Sequence, residues 1–489
     1  MPDAETLDRP PFDTGPPQAV PAGHPAPGHS TPGHPAPGGL RRSMRLPGAL
    51  LIALSAISPA SSVFIIVPGV LATAGSGALL SMAAGAAIAW CLAFVFAELA
   101  SAYPLSGGEY AIVGRVVGPF WGFLVMGASL IGNCLIPAVM ALGLSTYLGV
   151  LLPGLPPVPT ALVTIAIVTL VGILNIRTNA VLTGLFLVVE ILALLVLVAL
   201  GFLHVARPLT GLLLHPAMPG GTGLVPASPA MIGMATSVAL FAYNGYGAAV
   251  YFGEETHDAG RHIARAVMWA FAIAIASELV PVIAILMGAP DLRALLGARN
   301  MLGDFIAARG GPILATMVSL GIALAIFNAL IAMMLLAARI AYSTGRDRIW
   351  PAGLSGALTR THRRFHSPWV ATLVCGVIAG LACLVPETAL LVITSSTLVL
   401  IAGLLCVAVI MGRHNGTTDH GHYRMPLFPL LPAVALLAML SIVYTNWLDP
   451  VIGRPSLAAT GAICVASALY YRLVLRRRGA WVLRGPDDC

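Results

Sequence analysis

Three glutamates stand inside long apolar stretches of this sequence: Glu98, Glu190 and Glu278. An ionisable side chain at membrane depth is costly to insert, so such residues are first considered as parts of proton or ion pathways. Glu190 and Glu278 lie well inside their stretches and are candidates for a carboxyl that carries a proton. The alternative for each is a protonated or paired glutamate that only hydrogen-bonds a neighbouring helix.

The segment LFAYNGYGAAVYFGEE, residues 240–255, carries a glycine-rich patch with hydroxyl and amide groups from Tyr243 to Gly247. Glycine lowers helix stability, and exposed backbone is tolerated in a membrane only where it faces protein or a water-filled cavity. A helix that only crosses lipid would carry aliphatic residues at these positions. The pattern therefore predicts an interrupted helix.

A second interruption is predicted in ISPASSVFIIVPG, residues 57–69, where Pro59 removes a backbone donor and nearby serines can bond freed backbone groups. Half-helix ends offer N–H groups to a carboxylate and carbonyls to an ammonium group, so a zwitterionic amino acid satisfies both. Two interruptions at matching positions are the sequence sign of a transporter built from inverted repeats. The alternative is that glycine and proline only permit kinks and close helix packing.

The composition that surrounds these residues is that of a membrane protein. Of 489 residues, 58% are hydrophobic and 9% are charged, and the mean hydropathy is +0.91. Soluble domains carry roughly 25% charged residues, and a bilayer crossing needs about 20 apolar residues. We predict an all-α membrane protein with about twelve spans, near 48–72, 77–101, 118–149, 160–176, 179–204, 230–252, 266–288, 312–342, 368–385, 389–412, 426–446 and 456–475.

The basic residues predict an orientation in the cell membrane. All 26 are arginine. With a cytoplasmic amino end, the outer loops hold five of them and the cytoplasmic side holds 21 (26 − 5). The positive-inside rule therefore predicts that both termini are cytoplasmic. The net charge of +7 then reflects topology and contact with anionic membrane lipids, and not binding to nucleic acid.

Two tails are predicted to flank one transmembrane domain at residues 46–476. Residues 1–45 are rich in His, Pro and Gly and are predicted to form a disordered cytoplasmic tail, with weak metal binding as the alternative. Residues 477–489 form a short cytoplasmic carboxyl tail. The seven cysteines lack metal-ligand spacing and no enzyme motif occurs, so we expect no enzyme, no cofactor and no metal site.

Three segments resemble motifs of amino acid permeases: ELASAYPLSGGEY at 98–110, YFGEETHDAGRHIARA at 251–266 and NALIAMMLLAARIAYSTGRDRIWP at 328–351. With the predicted spans, they make residues 45–475 similar to the amino acid–polyamine–organocation (APC) transporter superfamily.

The fold that this resemblance implies is a five-plus-five inverted-repeat core with discontinuous helices 1 and 6. Repeat one covers about 48–204 and repeat two about 230–412, and peripheral helices cover about 426–475.

The resemblance also implies alternating access around a site formed by helices 1, 3, 6, 8 and 10. The helix-one backbone would receive the substrate carboxylate, carbonyls of the helix-six break would take its amino group, and Phe241 would cover the substrate. Asn133 is a further candidate, with an interhelical hydrogen bond as its alternative role. The candidate substrate-binding residues are Ser58, Ala60, Ser61, Ser62, Asn133, Phe241, Tyr243, Asn244 and Gly245.

The sequence departs from the family pattern in ways that bear on substrate and coupling. The helix-one break lacks the glycines that many permeases have, and Gly247 stands where many carry an acidic residue, which weakens the case for a cationic substrate. Some proton-coupled relatives use a lysine on helix five, and this one is absent because the chain has no lysine. Glu190 lies on that helix, so it is the first candidate for proton coupling and Glu278 is the second.

Charged residues near the predicted inner ends of the helices are candidates for a gate. Glu98 belongs to the first family motif and is expected to hold a cytoplasmic loop. Glu254, Glu255 and Arg261 follow helix six and are expected to exchange salt bridges as the gate moves, with a solvated loop as the alternative.

The leading hypothesis is a secondary active transporter that moves amino acids by proton symport or by exchange. The alternatives are a transporter of an amine such as ethanolamine or a polyamine and, less well supported, a membrane sensor that does not transport. Which amino acid is carried, the coupling ion and the oligomeric state are left open by the sequence.

Overall fold

The computed structural model describes residues 44–152, 154–174, 176–220, 223–298, 300–451, 453–478, 481 and 483. The predicted amino-terminal tail, apart from residues 44 and 45, and most of the predicted carboxyl tail lie outside these residues.

The described chain is mainly helical. The α-helices are α1 (Leu46–Ile57), α2 (Pro59–Ser61), α3 (Val67–Ala74), α4 (Ala78–Ala102), α5 (Glu109–Val116), α6 (Pro119–Leu151), α7 (Pro157–Gly172), α8 (Ile176–Leu203), α9 (Leu209–Leu214), α10 (Pro229–Ala242), α11 (Ala259–Gly288), α12 (Leu292–Gly297), α13 (Met301–Arg346), α14 (Ala352–Leu358), α15 (Trp369–Ala382), α16 (Glu387–His414), α17 (Leu430–Leu448) and α18 (Gly453–Tyr470). Two short strands, β1 (Ala217–Pro219) and β2 (Leu224–Pro226), pair antiparallel in the loop before α10.

Eight stretches of the described residues are long and apolar enough to cross a membrane. Their bounds are Leu46–Ala102, Pro119–Ser145, Thr183–Leu203, Ala259–Gly288, Met301–Arg346, Ser396–His414, Leu430–Leu448 and Gly453–Arg478.

These eight stretches differ from the twelve predicted spans for identifiable reasons. The first stretch covers predicted spans one and two together, and predicted span six is divided by its break. The predicted spans near 160–176 and 368–385 correspond to the shorter apolar helices Pro157–Gly172 and Trp369–Ala382. A multi-pass helical membrane protein is confirmed, while the count of twelve stays a prediction.

Span one is interrupted at Ser58. The helix α1 ends at Ile57, and Ser58 adopts a left-handed conformation with φ of 49°. Pro59 then restarts the helix, since its fixed φ suits the first helical position and its missing N–H costs nothing there. A π-helical turn, Ser62–Ile66, joins this restart to α3.

Span six is interrupted between Ala242 and Tyr246. The helix α10 ends at Ala242, and a 3-10 helix starts again at Tyr246. Gly245 lies between them with φ of 114°, which glycine adopts at little cost. A Cβ at Gly245 would lie 2.9 Å from the backbone N and Cα of Ile57, so the two breaks pack directly against each other.

The helices around the first break pack closely. The helix α1 packs against α8, α11 and α13. The helices α8 and α11 meet at a pair of glycines, because a Cβ at Gly288 would lie 2.6 Å from the Cα of Gly201. Small residues let helix backbones approach in membranes, where dispersion contacts replace the hydrophobic driving force.

We expect Gly253→Ala to destabilise the protein strongly. A Cβ at Gly253 would lie 2.2 Å from the Pro104 carbonyl oxygen, and backbone atoms cannot move aside as a side chain can. Overpacking of this kind typically costs about 1–3 kcal/mol. Thermal unfolding of the purified variant should therefore have a lower midpoint than that of the parent protein. The matched control is Gly461→Ala in α18, where no atom lies within 4 Å of the new Cβ. Equal midpoints for the two variants would contradict the prediction.

Candidate functional site

The break in span one surrounds the carboxyl of Glu190, which comes from α8. The Ala60 N–H donates to Glu190 Oε1 at 2.8 Å, and the Ser58 hydroxyl lies 3.1 Å from the same oxygen. Because Pro59 has no N–H, Ala60 supplies the first free backbone donor of the restarted helix. Glu190 is fully buried. The predicted substrate-binding backbone and the first proton-carrier candidate therefore meet at one position.

Further polar groups complete the surroundings of this carboxyl. Asn328 on α13 is fully buried and faces Glu190, and its amide donates to the Ser55 hydroxyl at 3.1 Å. The hydroxyls of Ser58 and Ser61 are 2.6 Å apart. We did not single out Asn328 from the sequence, although an amide in the apolar run AIFNALIAMM was a usable signal.

Glu278, the second candidate, reaches the same break from α11. It is fully buried, and neither of its carboxyl oxygens has a hydrogen-bond partner among the described residues. It interacts electrostatically with Glu190 and Tyr243, while the nearby Ser62 hydroxyl donates to the Ala242 carbonyl at 2.9 Å. Two buried carboxyls from different helices thus flank one backbone break.

The break in span six borders a cavity of about 430 Å³. Phe241 and Asn244 contribute to its wall, and the Asn244 N–H donates to the Phe241 carbonyl at 3.1 Å. One of the carbonyls predicted to take a substrate amino group is therefore engaged in a turn. The full lining is Ala89, Leu92, Phe96, Glu109, Ser237, Val238, Leu240, Phe241, Asn244, Tyr246, Leu398, Val399, Ile401, Ala402, Met439, Ile442 and Asn446.

The cavity shares only part of its wall with the arrangement that the family resemblance implies. Within the described chain its lining comes from α4, α5, α10, α16 and α17 and the break after α10, and not from α1, α6 or α13. Asn133 on α6 is not in the lining, and its amide donates to the Ser129 carbonyl of its own helix at 2.8 Å. Tyr243 is fully buried, with its hydroxyl unpartnered among the described residues. The structure therefore separates these two candidates from the cavity.

Glu98 links two helices at one end of the bundle. Arg413 on α16 donates to both Glu98 oxygens, at 2.7 and 2.6 Å. The Met425 N–H donates to Glu98 as well, at 2.8 Å. This carboxylate therefore ties α4 to α16 and to the loop before α17, while its role in holding a cytoplasmic loop stays a prediction.

Glu254 and Glu255 make two further buried ion pairs, both with α13. Arg339 donates to the two oxygens of Glu255 at 2.7 and 3.3 Å, and only 1% of Arg339 is exposed. Arg346 pairs with Glu254, which also accepts the Ser106 N–H at 2.9 Å.

The fourth gate candidate, Arg261, is exposed and belongs to none of the ion pairs found among the described residues. The sequence did not predict the arginines that pair with the other gate candidates, at 339, 346 and 413, because each lies at least 84 residues from its glutamate.

Comparisons with known proteins also indicate a membrane transporter. A family model described as amino acid permease matches residues 46–468. An uncharacterized transporter of Mycobacterium tuberculosis is 30% identical over 357 residues, which cover 70% of this chain and 74% of that protein. A branched-chain amino acid permease of Bacillus subtilis is 24% identical over 76% of this chain and 81% of its own length. A methylthioribose transporter of the same organism is 23% identical over 80% and 87%. The chain therefore belongs to the amino acid permease family of the APC superfamily, and is a multi-pass membrane transporter and not an enzyme.

Proposed function

We propose that this protein is a secondary active transporter that moves amino acids across the cell membrane together with protons. The observation that carries the proposal is the contact between Glu190 and the Ala60 N–H at the break of span one. A backbone donor predicted for the substrate carboxylate is held by a carboxyl that can itself bind a proton. The substrate would then take the donor of this hydrogen bond, the Ala60 N–H, and the proton would bind its acceptor, the Glu190 carboxyl.

Coupling follows from the chemistry of that bond. An ionised carboxylate at the start of a helix accepts a charge-assisted hydrogen bond, which is about twice as strong as a neutral one. Protonation of Glu190 removes that charge and leaves the Ala60 N–H and the helix dipole available to the substrate carboxylate. Proton binding therefore favours substrate binding, which is the linkage that symport requires. Glu278, close by and unpartnered among the described residues, is the second group able to hold the proton.

The proposed architecture is the five-plus-five inverted repeat with cytoplasmic termini. Breaks in spans one and six, five spans apart, support the two repeats at about 48–204 and 230–412. Glu98, Glu254 and Glu255, with their arginine partners, form a cross-linked set of charges that would close the inner end of the pathway. Alternating access requires these pairs to separate when that end opens.

The experiment is uptake into liposomes that contain the purified protein. A labelled amino acid mixture is supplied with and without an inward proton gradient, to vesicles that are empty or loaded with unlabelled amino acids. We expect uptake into empty vesicles that rises with the proton gradient. Uptake only into loaded vesicles, indifferent to pH, would replace symport by exchange. No uptake by folded protein would contradict amino acid transport.

A second candidate, transport of an amine, is supported by one feature of the cavity. Among the residues that line it, Glu109 is the only charged side chain and no basic side chain is present. An electronegative wall suits a cation that lacks a carboxylate. Amines that compete with amino acid uptake as well as the amino acids themselves do would favour this candidate.

A further inference from the structure

Glu109 stands at the start of α5, in the connection between the membrane spans Leu46–Ala102 and Pro119–Ser145. It is enclosed by protein, yet its side chain keeps some accessible surface because it lines the cavity. The other cavity walls are mostly aliphatic and aromatic, with Ser237, Asn244 and Asn446 as polar exceptions. The cavity therefore combines an apolar chamber with one carboxyl.

This carboxyl lacks the partner that the other acidic groups near it possess. Glu98, Glu254 and Glu255 each pair with an arginine, whereas Glu109 makes no ion pair within the described residues. The Ser129 hydroxyl donates a hydrogen bond to it at 3.4 Å. A carboxylate that faces a cavity without a counter-ion is a site to which a cation is attracted.

The charged and titratable groups on the surrounding elements leave this carboxyl unneutralised. The helices α6 and α16 pack against α5. The sequence of α6 contains no acidic or basic residue, and Arg413 of α16 is engaged by Glu98. Arg115 of α5 and His414 of α16 are exposed. The Tyr246 phenol faces Glu109, and the Cys406 thiol of α16 lies against that phenol. A phenol and a thiol are ordinarily uncharged below pH 8.

We propose that this cavity binds a primary alkylammonium group, with Glu109 as its counter-ion and the apolar walls around its hydrocarbon part. The inference deepens the proposed function, since the break of span six borders the cavity and an amino acid or a free amine carries the same ammonium group. Its volume of about 430 Å³ lies within the 300–1,000 Å³ range of ligand pockets.

The ionisation of Glu109 gives the proposal a pH dependence. Burial raises the pKa of Glu109 to about 7, although its own backbone N–H and the Ser129 hydroxyl act in the opposite direction. A raised pKa means that the carboxyl is mostly ionised at pH 8 and mostly protonated at pH 6. The ammonium group keeps its charge throughout this range. Ammonium affinity should therefore be about tenfold weaker at pH 6 than at pH 8.

The test is equilibrium binding of labelled 3-methylbutylamine to the purified protein at pH 6 and pH 8, with empty micelles subtracted. Unlabelled competitors separate the contribution of the ammonium charge from that of the hydrocarbon part, and show whether an added carboxylate is tolerated. 3-Methylbutanol has the same hydrocarbon part without the charge, and L-leucine adds a carboxylate to the amine. We expect saturable binding at pH 8 that the alcohol displaces at least about tenfold less well than the amine does. Displacement by L-leucine would assign the site to amino acids, and its failure would assign it to free amines.

The variant Glu109→Gln should lose about tenfold in amine affinity at pH 8 and should no longer respond to pH. Glu109→Asp keeps the charge and should retain pH-dependent binding. Glu387→Gln, which removes an exposed carboxyl at the start of α16, is the matched control and should bind as the parent does. Gel filtration checks that each variant is folded.

Three results would overturn the proposal. They are the absence of amine binding by the parent protein, an amine affinity that is the same at pH 6 and pH 8, and binding of the amine by Glu109→Gln as tightly as by the parent. Any of these three results, in a protein that still takes up amino acids, would remove this inference and leave the proposed function standing. Saturable amine binding by a protein that takes up no amino acid would leave this inference standing and contradict the proposed function.

Discussion

Glu190→Gln should abolish the accumulation of amino acids driven by a proton gradient while leaving exchange between amino-acid-loaded vesicles in place. In the parent protein the Ala60 N–H donates to Glu190 Oε1 at 2.8 Å. Glutamine keeps an oxygen that can accept this hydrogen bond, but it cannot bind and release a proton. A gradient of one pH unit can sustain about tenfold accumulation per proton carried. We expect the variant to reach only the level that the parent reaches without a gradient.

Two variants make this result specific to Glu190. Glu278→Gln removes the other carboxyl at the same break, and a smaller loss than in Glu190→Gln is expected because Glu278 does not touch the Ala60 N–H. Glu387→Gln removes an exposed carboxyl and should accumulate substrate as the parent does. Gradient-driven accumulation by Glu190→Gln at the parent level would reject Glu190 as the proton carrier.

Arg339→Leu should be among the most destabilising single changes in the chain. The Arg339 guanidinium donates to both Glu255 oxygens and to the Leu335 carbonyl, and it lies 4.5 Å from the centre of the Phe252 ring. Its removal leaves the buried Glu255 without a counter-charge. Breaking a buried ion pair by removing one partner costs about 3–5 kcal/mol. The midpoint of thermal unfolding in detergent should fall by several degrees.

The double variant Arg339→Leu/Glu255→Leu tests the physical reason. It removes both charges, so no charged group is left buried and unpaired, and part of the lost stability should return. The matched single control is Arg424→Leu, whose partner Asp419 forms an ion pair that is more than half exposed. Exposed pairs contribute about 0–1 kcal/mol. A double variant less stable than Arg339→Leu would show that packing, and not charge, dominates at this position.

Local features of the sequence were enough to predict the two helix breaks. Pro59 lacks an N–H, and the glycines in the patch from Tyr243 to Gly247 weaken a helix whatever surrounds them. The structure accordingly ends α1 at Ile57 and α10 at Ala242. The short apolar helices α7 and α15 show where such reasoning is weakest, because length alone decides whether an apolar run is counted as a span.

The candidate site was predicted residue by residue but not as a set of contacts. Glu190 and Ala60 were each singled out, for different roles, and their contact joins positions 130 residues apart. The Glu98–Arg413 pair joins positions 315 residues apart. Glu109 was part of a quoted motif without a role of its own. Asn328 is the first residue of the third family motif and likewise had no predicted role of its own.

The sequence by itself determined that this chain is a helical membrane protein, which apolar segments are interrupted and which carboxyls stand inside apolar runs. Those properties depend on run length, composition and backbone chemistry, and each is local. Only the tertiary structure decided that Glu190 and Glu278 meet at one break, that Arg339 and Arg413 hold the acidic gate candidates, and that a carboxyl faces the cavity. These arrangements depend on how helices that are distant along the chain pack together. No periodic pattern in the sequence relates the residues that come into contact.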